Sequence, residues 1–436
     1  MWSWFSQGMR VLTVGSVHLD TIALSRSAGG GVGETEVGSI IHSVGGSAYN
    51  IAANLATHRP RSDAISDVGI YSILPQHSVL TEIIRYKGNA AGVNSRFLRL
   101  HKDFNNKKVR GGGYVGLLDE EQRLIRRAVV DAAMHDADIF HHQEEAATLE
   151  NAIGWANILV LDSDLAVPTI NHIAAHARTN RKPLFLSVGS ALAGTRSWLH
   201  SNAANEADCL SGRSLVIRTM LANLNIAPGE IDKFRTFVDT GRESGAFDIN
   251  EICRQLRTKY LVCSNVRESH GFALLASGDT PYKCFFKTPE NIRSRMQAGN
   301  SAGVVDGALA GFIESFAHIV RRNSADKQAG IVNDRNRKTF QSNILDFVEH
   351  VSESEGATPG SVISFEEQVS QQSRLAKLWR LTKIAFDILP IFRVILSFVA
   401  LIIALWLVDL ALDVARYFGY NIEMLDKPWL RMLLRR

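Results

Sequence analysis

Residues 158–188 read ILVLDSDLAVPTINHIAAHARTNRKPLFLSV. The stretch opens on an unbroken apolar run, ILVLD (158–162), and closes on a second, PLFLSV (183–188). Between them Ile170, Ile173, Ala174 and Ala177 recur at helical spacing within PTINHIAAHARTN. Two continuous apolar strands joined by an amphipathic helix make a β-α-β unit, because a strand covered on both faces has no polar side to alternate with. The same alternation extends outward. RVLTVG (10–15) reads as a strand, NIAANLATHR (50–59) as a helix with Ile51 and Leu55 on one face, and YLVCS (260–264) as another central strand. From residue 10 to about 320 the pattern predicts an α/β layered sheet. Residues 29–43 and the polar-apolar YVGLLDEEQRLIRRAVVD (114–131) predict further strands, a small second sheet with one wet face.

The bulk composition agrees with a folded chain. Its 436 residues are 46% hydrophobic and 21% charged, enough for a sizeable core. A formal charge of +4 with scattered basic residues implies neither nucleic acid nor an acidic partner. Cys209, Cys253, Cys263 and Cys284 form no C-x-x-C pair and sit in apolar or mixed stretches, which predicts reduced core thiols and no metal site. FHHQEE (140–145) lacks metal-ligand spacing, and the glycine-rich AGGGVGETEVG (28–38) lacks the ending of a phosphate loop, so it reads as a flexible turn.

The ends differ. MWSWFSQGMRVLTVG lacks the charged and long apolar regions of a signal peptide. Between Arg393 and Asp409 lie fifteen uncharged, almost wholly apolar residues, VILSFVALIIALWLV, extended by LPIF and LALDVA. Apolar on every face, the run predicts a transmembrane helix over 386–412, with the flanking charges snorkelling at its ends. A polar linker region with an exposed helix or two is expected over 321–385, and a basic tail over 413–436.

Three short motifs carry chemistry. Gly45 and Gly46, in VGGSAYNIAANLA (44–56), let backbone approach a ligand at a helix start, and Asn50 one turn later offers both a donor and an acceptor to hydroxyl groups. Asp20, closing VGSVHLD (14–20), can accept hydrogen bonds from two hydroxyls of a sugar. NSAGVVDGALAGF (300–312) places Asp306 at a helix start. There it is either a base at an anion-binding terminus or a first-turn acid stabilised by the helix dipole, with Val305, Ala308, Leu309, Phe312, Ile313, Phe316 and Val320 forming the buried face.

Taken in order, VGSVHLD, GGSAYNIAANLA and NSAGVVDGALAGF resemble the ribokinase-like (PfkB) carbohydrate and nucleoside kinases over residues 10–320. YVGLLDEEQRLIRRAVVD and ILVLDSDLAVPTINHIA are most similar to the pseudouridine kinase branch. The resemblance implies a mostly parallel sheet flanked by helices, with a small β lid through which a homodimer can form; residues 1–320 would be this kinase domain. It implies ATP and Mg²⁺, and a sugar or nucleoside as substrate. Asp20, Gly45, Gly46 and Asn50 become substrate binders, Asp306 the general base, and Gly303, Val304 and Val305 the anion hole. Asn300, Gly303 and Asp306 match the family's closing motif, whereas valines replace its alanine and second glycine. If the position of Val305 requires a positive φ, valine is strained there. The family's Asn-x-x-Glu positions fall on Gly212 and Leu215, and its Gly-x-x-Gly turn on NVRESHG (265–271). These departures imply a second possibility, a pseudokinase that binds its ligand without turnover. Either way the large domain is expected in the cytoplasm, tethered to the membrane by its C-terminal helix.

Overall fold

The computed structural model describes residues 8–25, 38–58, 63–75, 79–101, 113–118, 124–130, 143–163, 165–188, 198–224, 226–242, 245–265, 271–293, 302–322 and 331–353. The described residues all lie within one compact unit, residues 1–365. The expected transmembrane helix, the glycine-rich turn at 28–37, the paired histidines at 141–142 and the start of the closing motif at Asn300 lie outside the described residues.

In chain order the strands are β1 (Met9–Val14), β2 (His18–Ser25), β3 (Gly38–Gly45), β4 (Ile65–Pro75), β5 (Leu98–His101), β6 (Gly113–Leu118), β7 (Leu124–Val130), β8 (Ile158–Asp162), β9 (Leu184–Val188), β10 (Ala207–Arg213), β11 (Thr258–Asn265), β12 (Gly271–Ala276) and β13 (Tyr282–Lys287). The helices are α1 (Ser47–His58), α2 (Val79–Ala90), α3 (Gln143–Trp155), α4 (Val167–Thr179), α5 (Ser214–Asn223), α6 (Pro228–Thr240), α7 (Ile249–Leu256), α8 (Ala302–Arg322) and α9 (Arg337–Glu353).

Nine strands form the main sheet in the order β13-β12-β11-β10-β9-β8-β1-β4-β5. The pairs from β11 through to β5 are parallel, and β12 and β13 add an antiparallel edge. Alternate side chains of each strand enter opposite cores, which explains the unbroken apolar runs. Val11, Ile158, Val160 and Phe185 pack toward α1 and α8, whereas Leu12, Leu159, Leu161 and Leu186 pack toward α3, α4 and α5. All four cysteines are free and buried, and burial pushes the Cys253 thiol up to about 12, so they behave as apolar core groups.

The smaller sheet runs β3-β2-β6-β7. Its two faces differ as expected. Asp20 and Ile22 of β2 are buried, whereas Ile40 and Val115, opposite Ala23 and Thr21, are 67% and 54% exposed.

Helix α8 has the length and apolarity of a membrane span, but 83% of its apolar window is buried and it is the central helix of one core. Two glycines on it admit α9 at backbone distance. A Cβ at Gly311 would stand 2.7 Å from the Ile344 Cα, and one at Gly307 would stand 3.0 Å from Val351 Cγ2. Phe340, Ile344, Phe347 and Val348 of α9 are buried there, and Phe340 stacks on Phe312 with ring centroids 5.0 Å apart. This corrects the expectation of an exposed helix after residue 320. The polar NDRNRK (333–338), which runs into α9, hides the apolar stripe that follows at helical spacing.

Helix α1 packs on α8 and carries Asn54 at 0% exposure, with neither amide atom hydrogen-bonded. Two unmet polar atoms in a core are destabilising. Asn54→Leu is therefore expected to raise the unfolding free energy by about 1–3 kcal/mol, read as a higher denaturant midpoint at unchanged m.

Candidate active site

The strongest grouping of polar side chains forms at the carboxyl ends of the parallel strands, where open α/β sheets bind ligands. β1 ends at Val14, and the chain turns through Gly15, Ser16 and Val17 into the small sheet. The Ser16 hydroxyl donates to Asp162 Oδ2 at 2.6 Å, tying that turn to the last residue of β8. Gly46 follows β3 at φ +100°, and its carbonyl accepts the Asn50 N–H at 2.9 Å, opening α1. A methyl group at Gly46 would collide with the Ser16 carbonyl, and one at Gly45 with the Asp20 carboxylate. Both glycines are thus needed for close approach, as their pairing in the sequence indicates.

Asp306 joins the pieces. Asn50 Nδ2 donates to its Oδ2 at 3.1 Å across 256 residues of chain, and Ser187 Oγ donates to its Oδ1 at 3.1 Å. The carboxyl group is buried, and burial, reinforced by the Asp162 charge, outweighs the hydrogen bonds from Asn50, Ser187 and Ser47 and pushes its pKa up to about 7. A carboxyl poised there exchanges protons readily near neutral pH.

Asp20 is 2% exposed, and burial likewise raises its pKa, with His18 Nε2 at 3.1 Å from Oδ1 opposing the shift. Asn50 Oδ1 is a buried acceptor without a hydrogen-bond partner. Such orphans are rare in a native fold. A hydroxyl group of a ligand would satisfy it.

The helix start differs from the sequence expectation in two ways. α8 begins at Ala302 and has no acid in its first turn, so Asp306 lies one residue beyond it. Val304 and Val305 are helical, only 2% and 4% exposed, and neither has a positive φ, so the anticipated valine strain is absent. Their side chains point into the core, which is why β-branched residues are tolerated. In a helix starting at Ala302, the N–H groups of Ala302, Gly303 and Val304 are free of intrahelical bonds, whereas that of Val305 falls within bonding range of residue 301.

Asp162 and Ser187 were not singled out from the sequence. The available signal was position alone, since each lies at or near the carboxyl end of an apolar parallel strand. On the far side of the sheet, Gly212 ends in contact with Ile217, and Leu215 is 65% exposed. The acid nearest to them in the network is Asp239, which accepts from Ser214 Oγ at 3.1 Å and Asn265 Nδ2 at 2.5 Å and pairs with Arg218 and Arg235. These partners occupy its oxygens. Among the described residues no group of three or more His, Cys, Asp or Glu could hold a metal. Residues 266–270 of the expected nucleotide-facing turn lie outside the described residues.

The arrangement of sheet, lid-like small sheet and helix α8 has parallels among solved structures. Ribokinase from Giardia lamblia matches with a TM-score of 0.56 at 12% identity, over 81% of this chain and 96% of that one. The fold is ribokinase-like. Arabidopsis thaliana ribokinase, solved with ribose and ATP, matches this ribokinase-like chain with a TM-score of 0.52 at 17% identity over 81% and 95% of the two chains. Ribokinase from Cryptococcus neoformans with ADP has a TM-score of 0.52 at 11% identity, over 81% and 97%. No protein-family model matches the sequence, and no curated protein is similar to it in sequence.

Proposed function

We propose that the chain is a ribokinase-like small-molecule kinase that transfers the γ-phosphate of ATP to a hydroxyl of a sugar or nucleoside, in the manner of the pseudouridine kinase branch. The observation that carries this reading is Asp306, a buried carboxyl with a pKa of about 7, held between Asn50 and Ser187 at the start of α8. Asp20, Gly45, Gly46 and Asn50 bind the acceptor, one of whose hydroxyls completes the orphan Asn50 oxygen. Asp306 takes the proton from the attacking hydroxyl as its oxygen bonds to the γ-phosphorus, and the bond from that phosphorus to the β–γ bridging oxygen breaks to release ADP. N–H groups from Ala302 to Val304 face the developing negative charge, with the helix terminus adding its partial positive charge. The described residues offer no carboxylate for Mg²⁺ at Gly212 or Leu215, so no protein ligand to that ion is assigned.

That same gap favours a second reading, a pseudokinase that holds the ligand without turnover. Full-length protein incubated with ATP, Mg²⁺ and a panel of sugars and nucleosides separates the two. Acceptor-dependent ADP release supports the kinase; saturable ligand binding with no ADP release supports the second reading and removes the first.

Residues 386–412 are proposed to span the membrane, leaving the kinase-like domain on the cytoplasmic side, where ATP is available. The outer face of the small sheet, carrying Ile40 and Val115, is the surface through which a homodimer would form. Protease treatment of sealed vesicles checks the orientation, since cleavage of the large domain without permeabilisation contradicts it.

A further inference from the structure

At the opposite end of the parallel strands from Asp306 lies a cavity of about 340 Å³. It opens where β9, β10 and β11 begin, beside the end of α4. Leu184, Tyr260, Phe316 and Ile331 make an apolar floor, all buried. The Tyr260 side chain is 7% exposed, and its hydroxyl has no hydrogen-bond partner among the described residues.

The charged rim is only partly spent. Lys259 pairs with Asp208 at 2.9 Å. Lys182 uses its ammonium on the carbonyls of Ile153, Gly154 and Ala156 at the end of α3. Arg178 gives one N–H to the Ala204 carbonyl at 2.8 Å. That leaves Arg181 and the remaining N–H groups of Arg178 at the rim; Glu206 acts on Lys259, and with Lys182 still charged the lining is net positive and suits an anion.

Arg181 is the informative residue. It follows α4 at φ +50°, with its N–H bonded to the Arg178 carbonyl and the next N–H, of Lys182, bonded to the Ala177 carbonyl. Glycine is the usual residue at that left-handed position, because a Cβ is strained there. Arg257, at φ +56° after α7, shows what can offset such strain, since its guanidinium binds the carbonyls of Trp198, Ser201 and Asn202 and lies over the Trp198 ring. Arg181 has the same backbone and no such partners among the described residues. A strained residue with an idle functional group at a cavity mouth points to a ligand.

We propose that this cavity binds a small organic acid, its carboxylate held by Arg181 and Arg178 and its compact apolar body seated on Phe316, Leu184 and Ile331. Guanidinium matches carboxylate geometry in paired hydrogen bonds, and the volume leaves room for a body of one aromatic ring or larger.

Calorimetric titration of the full-length protein with phenylacetate, and with its neutral isostere phenylacetamide, tests this. Phenylacetate is expected to bind with Kd below about 1 mM and phenylacetamide about tenfold more weakly or worse. Arg181→Gly should weaken phenylacetate about tenfold or more while raising Tm by about 1–3 °C, since it relieves the backbone strain. Arg181→Gln, which keeps the Cβ and hence the backbone strain but removes the guanidinium, should lose binding without that gain. Asp306→Asn should leave phenylacetate affinity unchanged, so the result stands apart from the kinase reading. Absence of phenylacetate binding, equal affinity for the two probes, or affinity that survives both Arg181 variants overturns the proposal.

Discussion

Asp306→Asn is expected to lower kcat about 10²–10⁴-fold and, at pH 8, to make the protein more stable than the wild type. Both effects come from one buried proton site. In the folded state burial raises the carboxyl from its ordinary 3.8 to about 7, so the folded protein binds a proton that the unfolded chain has released across that interval. Stability from this group is therefore greatest below about pH 4 and is lost as pH rises to about 7. Above that the folded state carries the whole cost of a buried charge, up to about 4 kcal/mol at 1.36 kcal/mol per tenfold change. An asparagine has no such cost. Its amide can donate to Asn50 Oδ1, which lacks a partner, after a flip of that side chain. Denaturation midpoints for the two proteins should thus diverge between pH 4 and 7 and remain apart above it. The kcat of the wild type should rise with pH toward a plateau above about 7, as the base ionises. A variant equally active, or a stability gap that does not grow with pH, contradicts the assignment.

Gly46→Ala is expected to be among the most damaging single-methyl changes in the chain. At φ +100° an L side chain is strained, and here the added Cβ would also meet the Ser16 carbonyl, a backbone atom that cannot rotate away. Strain and displacement together should cost about 3 kcal/mol or more. The damage reaches the site, because the Gly46 carbonyl receives the Asn50 N–H and Asn50 in turn holds Asp306. Loss of ligand affinity should accompany the fall in stability. Gly88→Ala is the matched control. Gly88 lies inside α2 with an ordinary φ, and its added methyl would meet only Tyr49 Cε2 at 3.9 Å. That change should stabilise by about 0.5–1 kcal/mol through helix propensity. Similar outcomes at the two glycines, in chemical denaturation, would remove the argument for a forced close approach at Gly46.

The parts of the site that were readable in the sequence share one property, an unusual local chemistry. The glycine pair before a helix, the asparagine one turn on, and carboxylates in otherwise apolar stretches all depart from what core packing alone would choose. Asp162 and Ser187 escaped notice because each is the kind of polar residue that commonly ends a strand. Only the parallel register of β8 and β9 with β1 brings those strand ends to one place. The dipole reading of Asp306 turns on the helix start in a related way. A helix boundary moves by a residue or two with its surroundings, and a start at Ala302 takes Asp306 out of the first turn.

Periodicity determined the α/β class of this protein, because apolar runs and helical stripes reflect burial along a single element. Composition determined the state of the four cysteines in the same way. Tertiary structure alone decided that α9 lies against Gly307 and Gly311 and does not stand in solvent, since that contact depends on two helices meeting at backbone distance. It also decided the protonation of Asp306. A carboxylate's pKa follows its desolvation and its neighbours, and Asn50, Ser187 and Asp162 reach it from three different elements.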